Sequence, residues 1–220
     1  MTERWATFDC YGTLVDWLGG IRGVIRAVWP EADVERMLAR HQAIEPLVQE
    51  GHALTYREVG ARTLRAMAAV DGLPLLGAHE YALADSLPDW PVFPEVPVAL
   101  RALRRNGWRL AILSNTDPDL LAASIKRIGV PIDLRITAAE ARSYKPAHGH
   151  WQRFFAATQA SGERHVHVAA SLFHDIAPAN ELGLTAVWIN RLDERSDLPR
   201  AAELTNLSQL PETLERLVPA

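Results

Sequence analysis

Four short stretches place reactive or anion-binding side chains where a fold can gather them. Residues 7–17 read TFDCYGTLVDW: Asp9 closes an apolar run, and a turn glycine (Gly12) and a hydroxyl (Thr13) follow. Backbone N–H groups and a hydroxyl around a carboxylate stabilise its ionised form and keep it available as a nucleophile. An acid at a strand end also serves as a helix N-cap or a structural acceptor, so its neighbours carry the argument. LSNTD (113–117) puts Ser114 and Asn115 right after an apolar run, at the start of a helical pattern. Ser114, Asn115 or Asp117 caps that helix, and the helix start with Ser114 is also suited to an anionic group. In SYKPAHGHW (143–151), Lys145 precedes a proline that restrains the backbone, and an ammonium there would lower and orient Asp9. HVAASLFHDIAPANELGL (167–184) carries Asp175 just past another apolar run, as a helix cap or as a general base on water.

Positioning these groups requires strands that end at them. Short apolar runs occupy 4–9, 108–113, 132–137, 165–170 and 185–189. Between them, Val96, Leu100 and Leu103 share one helical face, and Leu120, Leu121, Ser124, Ile125 and Ile128 share another. Strands alternating with helices of this length predict an α/β core with a parallel sheet. Such sheets bind ligands beyond the carboxyl ends of their strands, where all four stretches fall. Residues 16–90 differ: they show no strand pattern and read as helices punctuated at Pro30, Gly51, Gly72, Pro74 and Gly77. LPDWPVFPEVP (87–97), with its four prolines, reads as a return linker. The expected division is a core of 1–15 and 91–220 with a helical cap, 16–90, inserted after the first strand.

The 220 residues, 48% hydrophobic and 23% charged, suit a soluble globular chain with a substantial core. A net charge of −4 leaves no electrostatic footprint for nucleic acid or an anionic membrane. The N-terminus lacks a signal pattern, and no apolar run is long enough to span a bilayer. The single cysteine, Cys10, excludes an internal disulfide and fits a reducing cytoplasm.

In this order and spacing, Asp9–Leu14, Ser114, Lys145–Pro146 and Ser171–Asp175 resemble the four motifs of the haloacid dehalogenase superfamily. The resemblance implies a doubly wound, Rossmann-like α/β core, an aspartate nucleophile, Asp9, and a helical cap between the first two motifs. Most of the superfamily, its phosphatases, place an acid where Tyr11 stands, as proton donor to a leaving alcohol, and bind Mg²⁺ through the nucleophile and a fourth-motif acid. Here Tyr11 and Ser171 take those places. A hard divalent cation would be poorly held by neutral ligands. A halide leaves as a stable anion and needs neither proton nor metal. The DxYGT form resembles the L-2-haloacid dehalogenases, in which the nucleophile displaces halide at C2 with inversion, forming an ester. Water assisted by the fourth-motif aspartate, Asp175 here, then hydrolyses that ester.

The resemblance further implies Asp9, Thr13, Arg40, Ser114, Lys145 and Asp175 in the catalytic machinery. Cys10, Tyr11, Asn115, Trp151, Ser171 and His174 are expected beside the substrate, with no metal and no cofactor. Arg40 is the expected cap arginine receiving halide: on a helix over about 31–50 it shares a face with Met37, Ile44 and Leu47. Snorkelling or a cap–core ion pair is its alternative role. Asn115 is the second expected halide contact. Ala170, Ser171 and Leu172 depart from the usual serines and asparagine of the fourth motif, Trp151 stands for a tyrosine, and His174 for an aromatic. The expected reaction is metal-independent dehalogenation of a short 2-haloalkanoic acid. The alternatives are a Mg²⁺-dependent phosphatase, hydrolysis of another small 2-substituted acid, and a catalytically idle binding relative. Relatives of this kind are commonly dimers, so a homodimer is the expected assembly.

Overall fold

A computed structural model describes residues 3–50 and 54–220. Arg4–Phe8 (β1) is buried along its whole length, as expected of a central parallel strand covered on both faces. Four helices follow: Trp17–Val28 (α1), Val34–Gln49 (α2), Tyr56–Asp71 (α3) and the short Ala82–Ser86 (α4). The chain continues through Val96–Arg105 (α5), Trp108–Ser114 (β2), Pro118–Ile128 (α6), Leu134–Thr137 (β3), Ala138–Ala141 (α7) and Gly149–Thr158 (α8). It finishes with His165–Ala169 (β4), a π-helical turn Leu172–Ile176, Ala177–Glu181 (α9), Ala186–Ile189 (β5), Ala202–Leu204 (β6) and Leu210–Leu217 (α10).

The strands form one parallel six-stranded sheet in the order β3-β2-β1-β4-β5-β6. Connections run outward from β1 through β2 to β3, then cross to β4 and continue to β6. The strand order therefore reverses between β1 and β4, and a crevice opens there at their carboxyl ends. Asp9 lies in that crevice, its N–H bonded to the Val168 carbonyl at 3.1 Å. The edge strand β6 was not anticipated: it has only three residues, and none of them is buried. No helix among the described residues is long and apolar enough to cross a membrane.

Side-chain caps start α1, α2 and α3. The Asp16 carboxylate accepts from Gly19 N, Asp33 from the N–H groups of Glu35 and Arg36, and the Thr55 hydroxyl from Glu58 N. Each such cap satisfies donors that a helix cannot pair internally and is worth about 1 kcal/mol. The proline-rich stretch returns beside the outgoing chain: Asp16 N donates to Pro91 O at 2.8 Å and Phe93 N to Leu14 O at 3.1 Å. Trp90 seals this crossing against α1. A Cβ on Gly20 would lie 2.2 Å from the Trp90 ring, so only glycine permits the contact.

Candidate active site

The site is built around a buried ammonium. Lys145 Nζ donates to Asp9 Oδ1 at 2.8 Å, to Asp175 Oδ1 at 2.7 Å and to the Leu113 carbonyl at 2.9 Å. That uses all three of its hydrogens. The side chain is 2% exposed, and Lys145 immediately precedes a cis bond to Pro146. On the other side of Asp9, the Thr13 hydroxyl donates to Oδ2 at 2.9 Å and accepts from Ala170 N at 2.9 Å. Thr13 thereby ties the loop after β1 to the loop after β4. Gly12, at φ +93°, makes the turn that brings Thr13 back onto Asp9.

The two carboxylates differ electrostatically although they share the lysine. Burial is the largest influence on Asp9 and raises its carboxyl above the ordinary value, with Lys145 opposing and Asp175 adding to the rise. Burial also works to raise Asp175, but the Lys145 ammonium and a hydrogen bond from His167 outweigh it and hold Asp175 well below the usual carboxylate range. Burial tends to lower Lys145, yet the charges of Asp175 and Asp9 prevail and the net shift is upward. The cation is thus firmly protonated, and Asp9 is the more basic of the two carboxylates.

Beside this triad, Ser114 is 1% exposed, and its hydroxyl has no partner among the described residues. It borders a cavity of about 610 Å³ that Asp9, Asn115, Lys145, Ser171, His174 and Asp175 also line. That volume sits within the roughly 300–1,000 Å³ range of small-molecule sites. Asn115 clamps the Lys145 backbone: Lys145 N donates to Oδ1 at 2.6 Å and Nδ2 donates to Lys145 O at 3.0 Å. The Ser171 hydroxyl accepts from His174 N and pairs with His174 Nδ1, each at 3.0 Å. Asp117 does not cap its own helix. Its carboxylate instead accepts from Tyr56 N and Arg57 N, at 2.9 and 3.0 Å, capping α3 from the loop after β2.

Three expected site residues lie elsewhere, and one is only half at the site. Arg40 does not line the cavity; it is held on Asp71 at the end of α3, Nε to Oδ2 3.1 Å, an ion pair within the 16–90 helices and not the expected pair between cap and core. The buried stripe of α2 runs through Met37, Leu38, His41 and Glu45, while Leu47 is 67% exposed, so the helix is turned away from the face assumed for Arg40. Trp151 is fully buried behind the sheet, its ring edge-on to His167 at 5.2 Å, because His150, Trp151 and Phe154 form the inward face of α8. The Cys10 side chain is buried in the core and absent from the lining. Tyr11 lines the cavity, but its hydroxyl is taken up by Ser124 Oγ at 2.9 Å.

Other groups were not anticipated. Trp17, Gln42, Glu45, Pro46, Gln49 and Tyr56 roof the cavity from the inserted helices. Arg191 enters from the end of β5, held by the Thr13 carbonyl at 2.8 Å and Glu95 at 2.7 Å over the Phe93 ring. The strand-end rule that located Asp9 could have found it. Polar residues inside apolar helical stripes, such as Glu45, give no comparable signal.

The donors present do not suit a divalent cation. Asp9 and Asp175 direct Oδ1 at the Lys145 ammonium, Tyr11 is a phenol engaged with Ser124, and Ser171 is engaged with His174. Among the described residues no group of three or more His, Cys, Asp or Glu side chains is arranged to hold a metal. A hard cation needs several free oxygen ligands, and here the positions of Tyr11 and Ser171 supply no carboxylate.

Comparison with known proteins agrees with this architecture. The chain is 27% identical to (S)-2-haloacid dehalogenase 1 of Pseudomonas sp. (strain CBS-3), over 97% of each protein. A crystal structure of an L-2-haloacid dehalogenase superposes with a TM-score of 0.88 at 24% identity, covering 98% of this chain and 100% of the other. The L-2-haloacid dehalogenase of Xanthobacter autotrophicus, solved with chloropropionic acid covalently bound, shares the fold at a TM-score of 0.85 and 18% identity, over 97% and 98% of the two chains. The family model for haloacid dehalogenase-like hydrolases matches residues 4–216, and the chain belongs to that family.

Proposed function

We propose that the protein is a hydrolytic dehalogenase of short 2-haloalkanoic acids that works without a metal. The observation carrying this reading is that Tyr11 and Ser171 stand where a phosphatase of this family would need carboxylates, and both are already engaged, Tyr11 with Ser124 at 2.9 Å and Ser171 with His174 at 3.0 Å. With the Tyr11 hydroxyl bonded to Ser124, the site also offers no acid beside Asp9 to protonate a leaving alcohol. A halide requires none.

The unpartnered Ser114 hydroxyl binds the substrate carboxylate, aided by the start of α6. An Asp9 oxygen then attacks C2 from the side opposite the halogen. The C2–O bond forms as the carbon–halogen bond breaks, and the bonding pair leaves with the halide. Asn115 uses one of its two Nδ2 hydrogens on Lys145 O, and the other is available to the departing ion. In the second step water adds to the Asp9 carbonyl carbon and Asp175 takes its proton. The ester bond breaks, the proton passes to the alkoxide, and a 2-hydroxy acid of inverted configuration leaves. Lys145 and the Thr13 hydroxyl, already on the two Asp9 oxygens, stabilise charge developing there.

The test is halide release from L-2-chloropropionate in EDTA, with one turnover run in ¹⁸O-water. Label should enter the Asp9 side chain before it enters product. Absence of halide release, with Mg²⁺-dependent hydrolysis of p-nitrophenyl phosphate instead, would replace this reading with a phosphatase. The same reading carries a cytoplasmic homodimer, checked by fractionation and by sedimentation.

A further inference from the structure

Beneath the site the sheet carries a polar chain that halide displacement does not use. His165 and His167 of β4 lie on one face, two residues apart, and Thr7 of β1 pairs in register with His167. Thr7 Oγ1 lies 2.8 Å from His165 Nε2 and 2.8 Å from His167 Nδ1. His167 Nε2 lies 3.0 Å from Asp175 Oδ1. All four residues are fully buried. Central parallel strands are ordinarily apolar on both faces, so three polar side chains at this depth cost stability.

With both imidazoles uncharged, one proton arrangement fits the whole chain. A carboxylate only accepts, so His167 Nε2–H donates to Asp175. His167 Nδ1 then accepts from the Thr7 hydroxyl, whose oxygen accepts from His165 Nε2–H. That leaves His165 Nδ1 bare, and it has no partner among the described residues. Burial holds the His165 pKa down at about 3, in keeping with an uncharged ring. Ring edges brace both imidazoles: Trp151 stands 5.2 Å from His167 and Phe155 5.2 Å from His165.

We propose that His167 is a positioning residue for the second half of the reaction, holding Asp175 so that Oδ2 receives the proton of the hydrolytic water. Asp175 Oδ1 takes two donors, Lys145 and His167, whereas Oδ2 is buried with none among the described residues. Lys145 cannot hold that orientation alone, because it is shared with Asp9 and its balance changes when Asp9 becomes a neutral ester. The His167 bond is independent of Asp9 and is the same before and after esterification. This inference rests on the ester mechanism proposed above.

The experiment compares His167→Leu, His167→Gln and Thr7→Val with the wild type, using L-2-chloropropionate and rapid quench. His167→Leu should release one equivalent of halide in a burst and then turn over about 10- to 100-fold more slowly. Intact mass should show the ester accumulating on Asp9, with KM little changed. His167→Gln keeps a side-chain N–H near the Nε2 position and should restore most of the rate. Thr7→Val, nearly isosteric, should slow the same step more mildly, and it reads the chain even if His167→Leu fails to fold. The inference is overturned if the variants turn over like the wild type, if the burst slows in parallel with turnover and no ester builds up, or if Gln rescues no better than Leu. A wild type that releases no halide from any haloacid sinks the dehalogenase reading, and this role with it. That result is distinct from an active wild type whose variants accumulate no ester.

Discussion

Glu45 offers a test of the cavity roof that needs no substrate. It is 9% exposed, lines the cavity, and has its pKa pushed up to about 7 by burial, against hydrogen bonds from Tyr56 and Gln49. The nearest basic group, His41 Nδ1, is 3.9 Å away, but burial lowers its pKa to about 4, so it supplies no positive charge at neutral pH. A carboxyl whose folded pKa is raised binds its proton more tightly in the folded state. Stability from this group is therefore fully present below pH 4.5 and lost as pH rises through about 7. The loss amounts to about 3 kcal/mol, from 1.36 kcal/mol per pH unit across the interval. Glu45→Gln keeps the shape and the hydrogen bonding and removes the ionisation. Urea unfolding of both proteins from pH 5 to pH 8.5 isolates the effect, since His41 and the other titrating groups are common to both. Relative to the wild type, the variant should gain under about 1 kcal/mol by pH 5 and about 3 kcal/mol by pH 8. A difference that stays flat with pH, or a variant that is less stable at pH 8, would refute the burial argument. The same ionisation adds a negative charge to a cavity that must accept a carboxylate. KM for a haloacid should thus climb above pH 7 in the wild type and not in Glu45→Gln.

Two other substitutions bear on the site. Lys145→Met leaves Asp9 and Asp175 buried without their shared cation; it should abolish halide release and destabilise the fold by about 3–5 kcal/mol, measured by urea unfolding at pH 7. Arg40→Ala removes a partly exposed pair with Asp71, so stability should fall by at most about 1 kcal/mol with halide release unchanged. A loss of activity beyond tenfold would restore Arg40 to the halide site.

The reacting groups were legible because a parallel sheet sends its strand ends to one edge. Asp9, Ser114 and Asp175 each follow an apolar run, and the structure gathers all three. Lys145 was legible as a restrained lysine in the connection after β3. The rotation of a helix about its own axis was not legible to the same precision. Met37, Ile44 and Leu47 place Arg40 on an apolar face, but Leu47 is exposed and His41 and Glu45 lie inward instead, so the stripe sits about one residue round. Aromatic type misled at Trp151, where the inward face of α8 decides the matter. The individual bonds of short polar side chains were also hidden. Nothing in LSNTD indicates that Asn115 grips the Lys145 backbone, or that Asp117 serves a helix sixty residues earlier in the chain. His167 was read as part of a strand, and its polar partners come from elements distant in the chain.

The placement of Asp117 joins two tasks that many enzymes keep apart. The five residues from Leu113 to Asp117 supply a carbonyl to the lysine, an open hydroxyl to the cavity and the anchor for the first turn of α3. A displacement of that overhead helix would pull on the very segment that carries Ser114 and Asn115. Any shift of α3 is thus transmitted through two hydrogen bonds to the loop that lines the cavity.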